Sequence, residues 1–266
     1  MKCYYLPSIL GGIVVADRGY LIAGNWKMNG NLESATELSS AIVGGASNIL
    51  ETVELLLCPP AVHLQATAAA ISGTNVRLGG QDCHEAESGA FTGDISAEML
   101  ANMNCSYVIV GHSERRDAHH EGDALVWRKA NAALRAGLAP IICVGETEQE
   151  RLSGNAEEVV AKQLKASVPD GVDGSRLSVA YEPVWAIGSG RTPTQEEILS
   201  VHSAMRKALK DLLGHDAGDS IRLLYGGSVK PVNAAEILML SEVDGALVGG
   251  ASLSASDFLS IALAVK

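Results

Sequence analysis

Positive charge is in short supply in this chain. Lysine and arginine number 20 against 31 aspartates and glutamates, a formal net charge of −11. That balance argues against a nucleic-acid partner, because a polyanion needs a basic face. It also denies an anionic small molecule any help from overall charge, so a phosphate must be held by local cations or backbone N–H groups. Aromatic residues make up 4% of the chain, with two phenylalanines. Ala, Gly, Val and Leu are abundant instead, and such small side chains suit close strand–helix packing. No run of about 18 apolar residues occurs, so no membrane span is expected.

Other absences narrow the reading further. The five cysteines, Cys3, Cys58, Cys83, Cys105 and Cys143, are odd in number and irregularly spaced. They read as buried, reduced thiols of a cytoplasmic protein. His119 and His120 are adjacent, and neighbours in sequence rarely bind one ion together, so they read as a solvated loop with no metal. There is no low-complexity segment and no linker. Residues 1–18 combine Lys2 with a mostly apolar stretch ending in Val14-Val15-Ala16, which resembles a leader with a small-residue cleavage site. Pro7 and Gly11-Gly12 interrupt that stretch. The expectation is an N-terminal extension over 1–18 and one catalytic domain over 19–266.

What is present is alternation. Apolar, β-rich runs at Tyr20–Gly24, Val53–Leu57, Val76–Gly80, Tyr107–Val110, Ala139–Val144, Leu177–Tyr181, Ile221–Tyr225 and Val243–Val248 are separated by helical patterns. These patterns fall at Leu32–Leu50, Pro60–Ile71, Ala97–Met103, Ala124–Ala136, Ala156–Ala166, Thr194–Leu213, Val232–Leu240 and Ala255–Ala264. Runs apolar throughout, such as Tyr107–Val110, predict strands buried on both faces. Eight units share the 248 residues after the first 18, or 31 each, the size of a βαβ step. Even units of this kind predict closure into a single-domain α/β protein, a (β/α)8 barrel. The alternative is an open doubly wound sheet, which normally carries G-x-G-x-x-G after its first strand. Here that turn reads Asn25-Trp26-Lys27-Met28-Asn29.

In such a barrel the working residues sit at the C-terminal ends of strands. Those ends carry Asn25 and Lys27, then Gly111-His112-Ser113-Glu114, then Glu182, then Gly226-Gly227-Ser228, then Gly249-Gly250. Any one of these has an ordinary reading as a turn, a surface acid or a structural histidine. Together they form a kit. Glu182 can take a proton, His112 can polarise a carbonyl and Lys27 can stabilise an oxyanion, while Ser228 and the glycines offer N–H groups to a phosphate. The implied chemistry is proton abstraction beside a carbonyl on a small phosphorylated molecule.

The motifs Asn25-Trp26-Lys27-Met28-Asn29, Gly111-His112-Ser113-Glu114-Arg115-Arg116, Tyr181-Glu182-Pro183-Val184-Trp185-Ala186-Ile187-Gly188, Tyr225-Gly226-Gly227-Ser228-Val229 and Leu247-Val248-Gly249-Gly250-Ala251-Ser252-Leu253 resemble those of the triosephosphate isomerases. The resemblance runs in order from about Leu21 to the C-terminus. It implies interconversion of dihydroxyacetone phosphate and D-glyceraldehyde 3-phosphate through an enediolate, a step of glycolysis and gluconeogenesis, with no cofactor. It implies that Glu182 is the base, His112 a neutral electrophile, Lys27 the ammonium near the oxyanion with Asn25 beside it, and Glu114 the partner of Lys27. Substrate would be held by Asn25, Lys27, Ser228, Gly249, Gly250 and Gly188, the last carried on a lid over Val184–Gly188. A homodimer is implied too, with the loop Glu87–Gly93 placing Thr92 in the neighbouring subunit, Gln81 helping to receive it, and Arg116 and Glu121 in a charged network nearby. Two features depart from the family pattern. Arg191-Thr192-Pro193 stands where Lys-Thr-Ala is more usual, and His120 stands where glycine is common. Rival readings are a different phosphate-binding barrel enzyme and a barrel kept for binding alone. Neither needs Asn25, Lys27, His112 and Glu182 together.

Overall fold

The computed structural model describes residues 18–189 and 191–265. The expected N-terminal extension therefore lies, apart from Arg18, outside the described residues. Eight parallel strands close into a barrel in sequence order. They are β1 (Tyr20–Asn25), β2 (Val53–Cys58), β3 (Arg77–Gly80), β4 (Tyr107–Val110), β5 (Ala139–Val144), β6 (Ser178–Tyr181), β7 (Arg222–Tyr225) and β8 (Gly245–Val248). The α-helices are α1 (Leu32–Gly45), α2 (Leu64–Ile71), α3 (Ala97–Asn102), α4 (Ser113–Ala118), α5 (Asp123–Arg135), α6 (Glu148–Leu152), α7 (Ala156–Ser167), α8 (Gln195–Leu213), α9 (His215–Ser220), α10 (Pro231–Leu238) and α11 (Ala255–Ala262). The chain is a single-domain (β/α)8 barrel.

The two-residue strand period sorts the apolar side chains into two layers. Leu21, Ala23, Leu56, Cys58, Ile109, Ile141, Cys143, Ala180, Leu224 and Leu247 pack together in one cluster, inside the barrel. Their strand neighbours Ile22, Leu57, Val108, Val110, Ile142, Val144, Val179 and Leu223 belong to the larger cluster shared with the helices. This is why whole strands read as apolar. Polar side chains break the interior pattern at the N-terminal end, among them Glu54, Ser178 and Arg222. Glu54 accepts hydrogen bonds from the Tyr107 hydroxyl at 2.6 Å and from Arg222 at 2.8 Å, and so plugs the end away from the expected site.

Element edges differ from the sequence expectation for local reasons. β8 begins at Gly245, because that residue holds φ +144° and a Cβ there would sit 2.0 Å from the Leu21 carbonyl oxygen. Leu21 donates its N–H to Asp244 O at 3.0 Å, so the chain before Gly245 still pairs, outside regular strand geometry. α1 stops at the Gly44-Gly45 pair, and residues 46–48 tighten into a 3-10 turn. α8 starts where expected, because Thr194 and Glu197 form a capping box. The short helices α6 and α9 carry too little periodicity to be anticipated. His120 holds φ +55°, the left-handed geometry that suits a glycine. Arg18 ties to the barrel by donating to Asp244 Oδ1 at 2.7 Å.

Candidate active site

A cavity of about 1270 Å³ opens at the C-terminal ends of the strands. Asn25, Lys27, His112, Glu114, Glu182, Gly188, Ser228, Gly249 and Gly250 all line it. Strand ends place all of them but two: Glu114 lies in the first turn of α4, and Gly188 lies beyond the 3-10 turn that follows β6. Asn25 is the last residue of β1 and is buried; its Oδ1 accepts the Lys27 N–H at 3.0 Å. Lys27 holds φ +52°, a strained backbone for a lysine. Gln81, just past β3, steadies it by donating to the Lys27 and Cys58 carbonyl oxygens, both at 2.9 Å. The Lys27 ammonium lies 2.5 Å from Glu114 Oε1. A Cβ added to Gly249 would come within 3.5 Å of Lys27 Cε, so the lysine side chain runs beside the glycine tip of β8.

Glu182 follows β6 directly and is 2% exposed. Its carboxylate accepts from Ser113 N–H at 2.9 Å and from the Ser113 hydroxyl at 3.1 Å, and lies 3.0 Å from His112 Nε2. Burial pushes its pKa up, but the attraction of His112 and the Ser113 donors outweigh it, and the carboxyl is held below its ordinary value. In this position Glu182 is a restrained, weak base.

His112 caps α4, and its Nδ1 accepts the Glu114 N–H at 3.2 Å. A ring nitrogen that accepts carries no proton, so the geometry at Nδ1 selects the neutral ring with its single proton on Nε2. Burial also favours the neutral ring, while the neighbouring Glu182 and then Glu114 carboxylates raise the pKa, and the net direction is upward. That rise belongs to the adjacent carboxylate. Its largest source is Glu182, with Glu114 second, while burial and the Glu114 N–H act the other way.

Several functional neighbours escaped the sequence reading because they act through tertiary contact. Gly145, after β5, has its backbone so close to the Glu182 carbonyl that a Cβ would overlap that oxygen at 1.7 Å. Gln163 on α7 holds Gly145 from both sides, accepting its N–H at 2.8 Å and donating to its carbonyl at 3.1 Å. Glu146 is fully buried and accepts from the Tyr181 hydroxyl at 3.0 Å and from Trp185 Nε1 at 2.8 Å. It thereby anchors the 3-10 turn Val184–Ala186 that follows the acid. Burial and the nearby Glu182 push the Cys143 thiol well up, so it stays protonated.

The phosphate-binding candidates are open to solvent to different degrees. Gly188, with φ +70°, is exposed at the rim. Gly250 is exposed and opens a 3-10 turn, Gly250–Leu253. That single turn, and not α11, follows β8. The charged network near Glu121 also differs from expectation. Arg115, not Arg116, reaches Glu121 at 2.8 Å, and Lys129 joins it at 2.7 Å. Arg116 turns toward the barrel, donating to Gly111 O, Cys143 O and Asp123. His119 and His120 are exposed. Among the described residues no group of three or more His, Cys, Asp or Glu could hold a metal ion, and no helix is long and apolar enough to cross a membrane.

A barrel whose C-terminal mouth gathers a buried acid, a singly protonated imidazole, an ammonium and a glycine-rich rim is an enzyme of the (β/α)8 class built for proton transfer on an anionic substrate. The triosephosphate isomerase family profile matches residues 20–265. The chain is 58% identical to a triosephosphate isomerase of Afipia carboxidovorans, over 91% of this chain and 96% of that protein. It is 55% identical to one of Xanthobacter flavus, over 95% and 100%. It also superposes on a crystal structure of triosephosphate isomerase from Bartonella henselae with a TM-score of 0.85 at 48% identity, covering 92% of this chain and 98% of that one. The chain belongs to the triosephosphate isomerase family and is an isomerase.

Proposed function

We propose that Glu182, His112 and Lys27 carry the interconversion of dihydroxyacetone phosphate and D-glyceraldehyde 3-phosphate in this chain. The observation that carries the assignment is the buried Glu182 carboxylate 3.0 Å from His112 Nε2, at the same mouth as Lys27. Glu182 takes the proton from the carbon beside the carbonyl and returns it to the neighbouring carbon. His112 donates its Nε2–H to the oxygens of the enediolate, and the Lys27 ammonium stabilises the negative charge that develops there. Asn25 supports Lys27 from the backbone side, and Glu114 balances its charge. Ser228, Gly249 and Gly250 hold the phosphate dianion, which answers how a chain of net charge −11 can bind one.

The contact with Ser113 defines a resting state. Leaving it costs Glu182 two donors and, under a closed Val184–Gly188 lid, exposes it to an apolar, water-poor space. Both changes raise its pKa and make it a stronger base. Gly188, at the far end of that lid, brings an N–H to the phosphate, so substrate binding drives closure. No cofactor enters this sequence of steps.

The same reading includes a homodimer. Met28, Val62 and Phe91 are 95%, 77% and 45% exposed. They stand after β1, β2 and β3, adjacent strands, and Phe91 lies on the loop that carries Thr92. Cytoplasmic residence fits the four described cysteines, all free and buried.

The test is a coupled assay of glyceraldehyde 3-phosphate isomerisation with Glu182→Gln as the control. Loss of the base should lower turnover by about 10²–10⁴ or more. Near-normal turnover in that variant would sink the assignment of Glu182.

A further inference from the structure

Arg191 does more than mark the end of the lid. Its Nη2 donates to the Trp185 carbonyl at 2.9 Å, and its guanidinium lies 5.3 Å from the centre of the Trp185 ring. Its Nη1 donates to Glu148 Oε1 on α6 at 2.6 Å. Arg151, which follows Glu148 by three positions and also lies in α6, places a second guanidinium 5.6 Å from the same ring. One side chain thus joins three places: the segment after the lid, the lid's own backbone and ring, and a helix outside the lid. All of this occurs while Glu182 rests on Ser113.

We infer that Arg191 is a positioning residue for the isomerisation, one that holds the lid in its resting position by tying Trp185 to Glu148. The inference rests on the proposed function, in which the lid closes over bound substrate. Carrying Trp185 away from α6 breaks the carbonyl bond and the cation–π contact, while the anchor on Glu148 stays behind. The restraint therefore sets the balance between resting and closed states, and through it the apparent affinity for any ligand that needs closure. A lysine at 191 could keep the ion pair with Glu148 but lacks the planar fork that reaches the Trp185 carbonyl at the same time.

Calorimetric titration with a two-carbon phosphorylated carboxylate, a mimic of the enediolate, reads the balance directly. Arg191→Gln and Glu148→Gln should each bind the mimic about two to five times more tightly than the parent chain, the range set by an exposed ion pair and one cation–π contact. KM should fall in parallel. Arg191→Lys should lie between Arg191→Gln and the parent. Glu148→Gln should add nothing in the Arg191→Gln background, because the two side chains form one latch. Unchanged or weaker affinity in Arg191→Gln overturns the inference, as does a full additional effect of Glu148→Gln in that background. Thermal melts of the same variants identify a purely structural role, which would lower the melting temperature and leave affinity and KM alone. Absence of isomerase activity in the parent chain would instead overturn the proposed function, and the titration would still read the latch.

Discussion

The closest approach in the site gives the sharpest prediction. In Gly145→Ala the new Cβ would sit 1.7 Å from the Glu182 carbonyl oxygen and 2.7 Å from its carbonyl carbon. A carbon and an oxygen rest at about 3.3 Å, so one backbone must yield by roughly 1.6 Å. Gly145 is held on both sides by Gln163. Glu182 is held at its N–H by Val144, and Tyr181 just before it by Gly226, each at 2.7 Å. Neither side gives freely, and the displacement is shared between β5 and the base itself. Overpacking of this kind costs about 1–3 kcal/mol, or roughly 2–12 °C in melting temperature for a domain of this size. A base misplaced by about 1 Å costs on the order of 10² in rate. The coupled assay and a thermal melt should therefore show a folded, less stable enzyme with kcat down by about 10² or more. A folded variant with kcat within about threefold of the parent would refute the claim that this contact positions Glu182.

A buried histidine and an exposed loop can be tested in the same way. His202 on α8 donates from Nδ1 to the Glu242 carbonyl at 2.8 Å and packs edge-on to Tyr181, and burial lowers its pKa to about 4. The folded chain thus binds fewer protons there than the unfolded chain, whose histidine titrates near 6.5. Stability is full above that value and erodes as pH falls toward 4, by about 2 kcal/mol at pH 5. Denaturant titrations at pH 8 and pH 5 should show this loss, and His202→Gln should shrink it; equal pH dependence in both chains would contradict the assignment. Light scattering at micromolar concentration should show a dimer that Thr92→Arg converts to monomer, and a monomeric parent chain would remove the dimer from the reading.

Much of the site is legible in the sequence alone, because strand ends announce themselves. An apolar run that stops at Asn25, His112, Glu182, Ser228 or Gly249 marks both the strand and what it presents. The glycines that follow show where backbone comes close. Residues acting from the side are not legible in this way. Ser113 is one letter in a motif until its N–H and hydroxyl meet Glu182 from two strands away in the barrel. Arg115 and Arg116 are adjacent and alike in sequence, yet α4 turns them apart, one to Glu121 and one to Asp123.

The sequence by itself therefore determined the eight-unit barrel, the residues gathered at its mouth and the family. Those properties live in periodicity and in local motifs, which need no knowledge of what packs against what. Only the tertiary structure decided the state of those residues: a Glu182 carboxyl held low by His112 and Ser113, an imidazole nitrogen that accepts the Glu114 N–H, and a Trp185 carbonyl tied to α6 through Arg191. Each depends on a contact between residues that the chain keeps far apart, or that a helix turn rotates into place. The strength of an acid or a latch is a property of its surroundings, and surroundings exist only once the barrel has closed.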